Sequence, residues 1–107
     1  MLEITNLLAE IPANLPEELV QTLVRAPGVQ IVRVVSQGHA SPEGFWYDQE
    51  ENEFVVLMAG AARLVFEDQA EPVEMAPGSC VKIAAHRRHR VDWTDPQQPT
   101  VWLGIFY

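Results

Sequence analysis

The sequence predicts an all-β protein, a barrel or sandwich of short strands preceded by one short helix. Three observations carry that expectation. From Val29 onward, segments rich in β-branched and aromatic residues alternate with turn residues at regular intervals, which is the pattern of a sandwich or barrel. Glycine and proline punctuate those segments at Gly38, Gly44, Gly60 and Pro77-Gly78. Helical spacing occurs only ahead of Val29. The 107 residues suffice for one core and not for two, so a single domain is expected, with an N-terminal extension over residues 1–28 and a β-barrel over residues 29–107.

In the extension, Pro16 followed by Glu17 and Glu18 reads as a helix opening, with proline in the first turn and acids facing the helix dipole. Leu19, Val20, Leu23 and Val24 then recur at helical spacing, and Ala26-Pro27-Gly28 stops the run. Val29 to Val35 is expected as the first strand, and Gly38 to Gly44 as a loop. Phe45 to Asp48 reads as a short aromatic strand and Glu50-Glu51-Asn52 as a turn. Phe54 to Ala59 and Ala62 to Phe66 flank Gly60 as a hairpin. Val73 to Met75 and Cys80 to Ala84 lie on either side of the Pro77-Gly78 turn. Arg90 to Trp93 and Thr100 to Tyr107 close the chain.

Composition excludes several function classes. A formal net charge of -8 argues against a nucleic-acid partner, because neutralising phosphates needs a basic face. The one dense basic cluster, Arg87, Arg88 and Arg90 interleaved with His86 and His89, reads as a solvated strand edge. No stretch approaches the roughly 20 apolar residues of a membrane-spanning helix. No secretory leader is visible at Met1-Leu-Glu-Ile-Thr, and the single cysteine suits a reducing compartment, so a cytoplasmic location is expected. Cys80 itself reads as a small buried residue among strand neighbours such as Val81 and Ile83.

Two segments carry the chemistry. The first is Glu53-x6-Gly60. The second is Pro77-Gly78, then Ile83-Ala84-Ala85-His86, then His89-Arg90-Val91. In this order the chain resembles the cupin superfamily, whose motifs read G-x5-H-x-H-x3-4-E-x6-G and G-x5-P-x-G-x2-H-x3-N. The resemblance spans roughly Ile31 to Tyr107 and implies a double-stranded β-helix, or jelly-roll, barrel with one central pocket. Departures are plain. Ala84 stands where proline is common, His86 where glycine is common, and Trp93 where asparagine falls. The histidine pair of the first motif is missing: a four-residue gap before Glu53 puts Trp46 and Asp48 there, and a three-residue gap puts Tyr47 and Gln49.

In the Trp46/Asp48 register, the resemblance implies a metal shell of Asp48, Glu53 and His89, one imidazole with two carboxylates. Such a set suits Fe, Mn, Ni or Zn as the divalent ion. Each candidate has a plainer role beside the functional one. Asp48 can cap the turn that follows it, and Glu53 can be a solvated acid beside Glu50 and Glu51. His89 can be a strand histidine bonded to a carbonyl. His86 belongs to the rim loop, and His39 can either reach the barrel mouth or cap its own loop. Trp46, Trp93 and Trp102 are either an aromatic wall, with Tyr47 beside it, or core. Period two along a strand would put Trp93 on the face of His89.

Two functions remain open at this point. One is a metal-dependent enzyme, a dioxygenase or isomerase acting on a small molecule. The other is a non-catalytic barrel that binds or senses a small molecule without metal. A symmetric homodimer is expected in either case, because open sheet edges and an apolar N-terminal stripe need cover.

Overall fold

The computed structural model describes residues 2–107. They form eight strands: β1 (Leu19–Ala26), β2 (Val29–Ser36), β3 (Glu53–Ala59), β4 (Ala62–Phe66), β5 (Val73–Met75), β6 (Cys80–Ile83), β7 (His89–Thr94) and β8 (Thr100–Phe106). Every ladder is antiparallel. The strands make a five-stranded sheet in the order β1-β2-β8-β3-β6 and a three-stranded sheet in the order β5-β4-β7. The two sheets face each other as a jelly-roll barrel. Its core is shared between them: Val55, Leu57, Ile83 and Trp102 from the larger sheet meet Leu64 and Phe66 from the smaller one.

The expected N-terminal helix is a strand. Leu19–Ala26 turns through Pro27-Gly28 and pairs with β2 from Leu19↔Val35 to Ala26↔Val29, with an irregularity at Leu23. The apolar spacing that suggested a helix is real, but β1 is exposed over seven of its eight positions, so no buried stripe rewards a helix. A helix this short is marginal in water, whereas the ladder satisfies the backbone and suits Val20, Thr22 and Val24. Among the described residues no α-helix occurs, and hence none long and apolar enough to cross a membrane. Arg33, 5% exposed, ties down the segment ahead of β1. Its guanidinium donates to the carbonyls of Leu7 and Ala9 at 3.0 and 2.7 Å, and its Nε to Gln21 Oε1 at 2.7 Å.

Three further expectations are corrected. β3 and β4 are not a hairpin, because they belong to different sheets: β3 lies between β8 and β6, and β4 between β5 and β7. Gly60 is where the chain crosses over. Phe45 to Asp48 is not a strand but an extended segment with one bridge, Tyr47↔His89. Cys80 is exposed, because alternation along the edge strand β6 turns Cys80 and Lys82 outward while Ile83 is buried.

Gly60 is held at φ 88°, and a Cβ there would stand 2.6 Å from Thr100 Cα and press on Thr100 Oγ1. That hydroxyl bonds both the amide and the carbonyl of Ala61, so it cannot swing away freely. Gly60→Ala is therefore expected to cost about 2 kcal/mol. Urea denaturation checks this, and an unchanged midpoint would contradict the crossover geometry.

Candidate functional site

The barrel interior holds a cavity of about 370 Å3. Its walls are apolar, with Val32 and Val34 from β2, Val55 from β3, Leu64 from β4, Val91 from β7 and Trp102 from β8. Gly104 leaves room beside Glu53, since a Cβ there would lie 3.5 Å from Glu53 Oε2. Against this apolar wall stand a few polar groups, Glu53, His89, Gln49 and Tyr47, with Glu18 lining the cavity from the chain just ahead of β1.

Local structure explains each placement. Glu53 opens a strand paired on both sides, opposite Ile83 and Phe106, so alternation sends its side chain inward with Val55 and Leu57. His89 opens β7 and is only 5% exposed. Its backbone is held from two sides, opposite Phe66 on β4 and by a reciprocal pair with Tyr47 at 2.7 and 3.2 Å. The three rings form a ladder. Tyr47 stacks on the imidazole with centroids 5.5 Å apart, and Phe66 lies on it at 5.9 Å.

The chemistry centres on the imidazole. His89 Nδ1 lies 2.8 Å from the Arg87 carbonyl, an acceptor, so Nδ1 carries a proton and donates it. Nε2 then faces Glu53 Oε1 at 3.6 Å. Burial works against a charged ring, but the Glu53 carboxylate and the Arg87 carbonyl outweigh it and hold His89 above the ordinary imidazole value of 6.5. Gln49 Nε2 donates to the same Glu53 oxygen at 3.3 Å. Burial, then the charge of Glu18, push the Tyr47 phenol up, which keeps it a neutral hydroxyl.

The structure brings Glu53 and His89 together and leaves Asp48 apart from them. In the extended segment, Tyr47 and Gln49 face the cavity, so Asp48 between them faces out and meets His86 Nδ1 at 2.7 Å. The motif positions in the cavity are thus those of the three-residue gap, Tyr47 and Gln49, rather than Trp46 and Asp48. Trp46 is half-buried outside it, flanked by the Arg88 and Arg90 guanidiniums at 6.0 and 5.7 Å. Trp93 is 37% exposed and does not line the cavity. The strict alternation assumed for it fails at a bulge: Val91 pairs with Leu64 but Trp93 with Arg63, which leaves Asp92 as an extra residue. His39 accepts the Gln37 amide on Nδ1 at 2.9 Å and borders a second hollow of about 320 Å3, shared with Glu18 and Tyr47. His86 is exposed on the rim loop at φ 64°. Glu18 had no motif to mark it. Trp102, which neither motif spacing nor alternation singled out, is the tryptophan that lines the cavity.

A metal fits this donor set poorly. His89 and Glu53 face each other in the cavity, and Glu18 lines it without converging on them, while a catalytic ion takes at least three protein donors. Among the described residues no group of three His, Cys, Asp or Glu side chains converges.

The His89–Glu53 pair makes a pH prediction. A group whose folded value is raised adds stability that is complete below its unfolded value and is lost as the pH rises through the folded value. Glu53→Gln removes the charged partner. The stability gap between wild type and variant should therefore be larger at about pH 5.5 than at about pH 9, by about 1–2 kcal/mol. A gap independent of pH, read by urea denaturation, would contradict the pairing.

No family model and no curated protein matches the chain. Solved structures do. A candidate mannose-6-phosphate isomerase from Ralstonia eutropha JMP134 is 42% identical, with a TM-score of 0.94, covering 97% of this chain and 96% of that one. A cupin superfamily protein from Desulfitobacterium hafniense DCB-2 is 20% identical with a TM-score of 0.73, over 90% of this chain and 82% of that one. The Fe(II) form of HppE is 16% identical with a TM-score of 0.71, over 91% of this chain and 53% of that one. The last two show the fold alone. With its jelly-roll sheets, its inward glutamate and histidine at the motif positions and these neighbours, the chain belongs to the cupin superfamily.

Proposed function

We propose that the chain binds a small molecule in its barrel and moves a proton on it with the His89–Glu53 pair, an isomerase-type acid–base chemistry that needs no metal. One observation carries this: a carboxylate and an imidazole face each other at 3.6 Å, both nearly buried, in a cavity whose walls are mostly apolar. Glu53 can accept a proton from carbon beside a carbonyl. The His89 imidazolium can donate from Nε2 to the carbonyl oxygen. Glu53 then delivers its proton to another carbon of the enol while Nε2 takes a proton back from an enol oxygen, which completes an isomerisation and restores both groups. An imidazole raised from 6.5 is well matched to acid–base work near neutral pH, where a positioned group contributes about 10²–10⁴ in rate. Tyr47, a neutral phenol at the cavity wall, is a further hydrogen-bond donor for the bound molecule. The isomerase name of the Ralstonia relative supports the same reaction class.

The expected metal shell is not part of this reading, because Asp48 is turned to His86 and two donors remain. The test is deuterium wash-in from D2O at the carbon beside the carbonyl of glyceraldehyde, mannose 6-phosphate and cyclohexanone, with elemental analysis of the same protein. Exchange by wild type that survives EDTA, and falls at least about 10²-fold in Glu53→Gln, is expected. So is metal well below one ion per chain. No exchange with any of the three, or near-stoichiometric metal that is lost in His89→Ala, would contradict the proposal.

A further inference from the structure

The charges around the cavity say what kind of molecule it takes. No lysine or arginine is among the described residues that line it, and two carboxylates, Glu53 and Glu18, are. Among the described residues lining it, the one group that can carry positive charge is His89, already facing Glu53. The arginines of the second motif, which a phosphate would need, are spent elsewhere. Arg87 lies over the Phe66 ring at 4.3 Å and makes bonds of 3.1–3.2 Å to both oxygens of Asp68. Arg88 donates to Glu67 at 2.8 Å, and Arg90 meets Asp92 at 3.6 Å. Buried Arg33 is bonded to Gln21 and to the carbonyls of Leu7 and Ala9. Among the described residues, by contrast, no lysine or arginine pairs with Glu18. Its carboxylate accepts a hydrogen bond from Ser36 at 2.7 Å and lines the cavity wall.

A phosphate carries most of two negative charges and needs donors fixed around it. Here it would enter an apolar space between two carboxylates, with no free guanidinium or ammonium to receive it. An uncharged molecule meets none of that repulsion. Its apolar body can lie on Val32, Val55, Leu64 and Trp102, while one hydroxyl or carbonyl reaches Gln49, Glu53 and His89. We infer that the cavity selects uncharged small molecules with an apolar body and one hydrogen-bonding group, and rejects sugar phosphates. Glu18 is the residue that sets this preference from the wall without belonging to the proton-moving pair. This inference rests on the reading that the cavity is a small-molecule site, and it separates this chain's ligand from the phosphosugar named for its relative.

A matched series tests it: cyclohexanol, cyclohexyl phosphate and mannose 6-phosphate, titrated into labelled protein while the Trp102 indole and the Val55 and Leu64 methyl resonances are followed. Cyclohexanol should shift those signals with an affinity at least tenfold above that of cyclohexyl phosphate, and mannose 6-phosphate should leave them in place. Glu18→Gln should narrow the gap between the matched pair several-fold. Its exposure makes it safe to replace without unfolding the barrel. Cyclohexyl phosphate binding as tightly as cyclohexanol, or a Glu18→Gln variant with an unchanged gap, would overturn the selectivity while leaving the cavity as a binding site. Failure of every probe to move any cavity signal would instead overturn the small-molecule reading beneath it.

Discussion

The site depends on one hydrogen bond, from His89 Nδ1–H to the carbonyl of Arg87. It settles which nitrogen carries the proton before any ligand arrives. Nε2 is left to face Glu53, a carboxylate that can only accept. A neutral ring would place its lone pair against that carboxylate, so the pair is satisfied only when the imidazole is charged. This is why His89 holds its proton more tightly than usual although burial alone would release it. The stacked rings of Tyr47 and Phe66 keep the imidazole from turning away. Backbone pairing at Tyr47↔His89 and Phe66↔His89 places those rings in turn.

The pair is not what holds the barrel together. A buried ion pair roughly repays its own desolvation, so its presence in a small barrel is poor value for folding alone. Stability comes from the cluster below it, where Leu57, Leu64, Phe66 and Ile83 are nearly inaccessible. The arginines beside the motif histidine, meanwhile, face acids on the outside, chiefly Asp68, Glu67 and Asp92. Local neutralisation of that kind lets a chain with net charge -8 keep basic residues next to its pocket without making the pocket basic.

Much of the barrel was legible because β signals are local. Ala62 to Phe66 and Val73 to Met75 match their strands residue for residue, and the remaining strands from Val29 onward shift by one position at one or both ends. Glu53 and His89 were legible from motif spacing. The failures share a cause, which is that sequence spacing does not report pairing partners. Leu19–Ala26 is a strand because β2 is there to pair with it. The chain at Gly60 changes sheets instead of folding back, which nothing in the glycine itself reveals. The bulge at Asp92 turned Trp93 outward, and only the opposing Arg63 and Leu64 show the slip. The Trp46/Asp48 register was preferred because Asp48 is an ordinary oxygen ligand, whereas the Tyr47↔His89 bridge goes with Tyr47 and Gln49 facing the cavity. Glu18 reached the cavity by long-range pairing and left no trace in the sequence.

The most direct test of the account is a long-range ¹H–¹⁵N spectrum of the His89 ring, recorded above the pH at which it titrates. The account requires a neutral imidazole protonated on Nδ1, with Nε2 bare and facing the cavity, and both nitrogens protonated once the pH falls. A ring protonated on Nε2, or one averaging between the two forms, would mean that the Arg87 carbonyl does not hold the imidazole, and the proposed proton transfer would lose its basis.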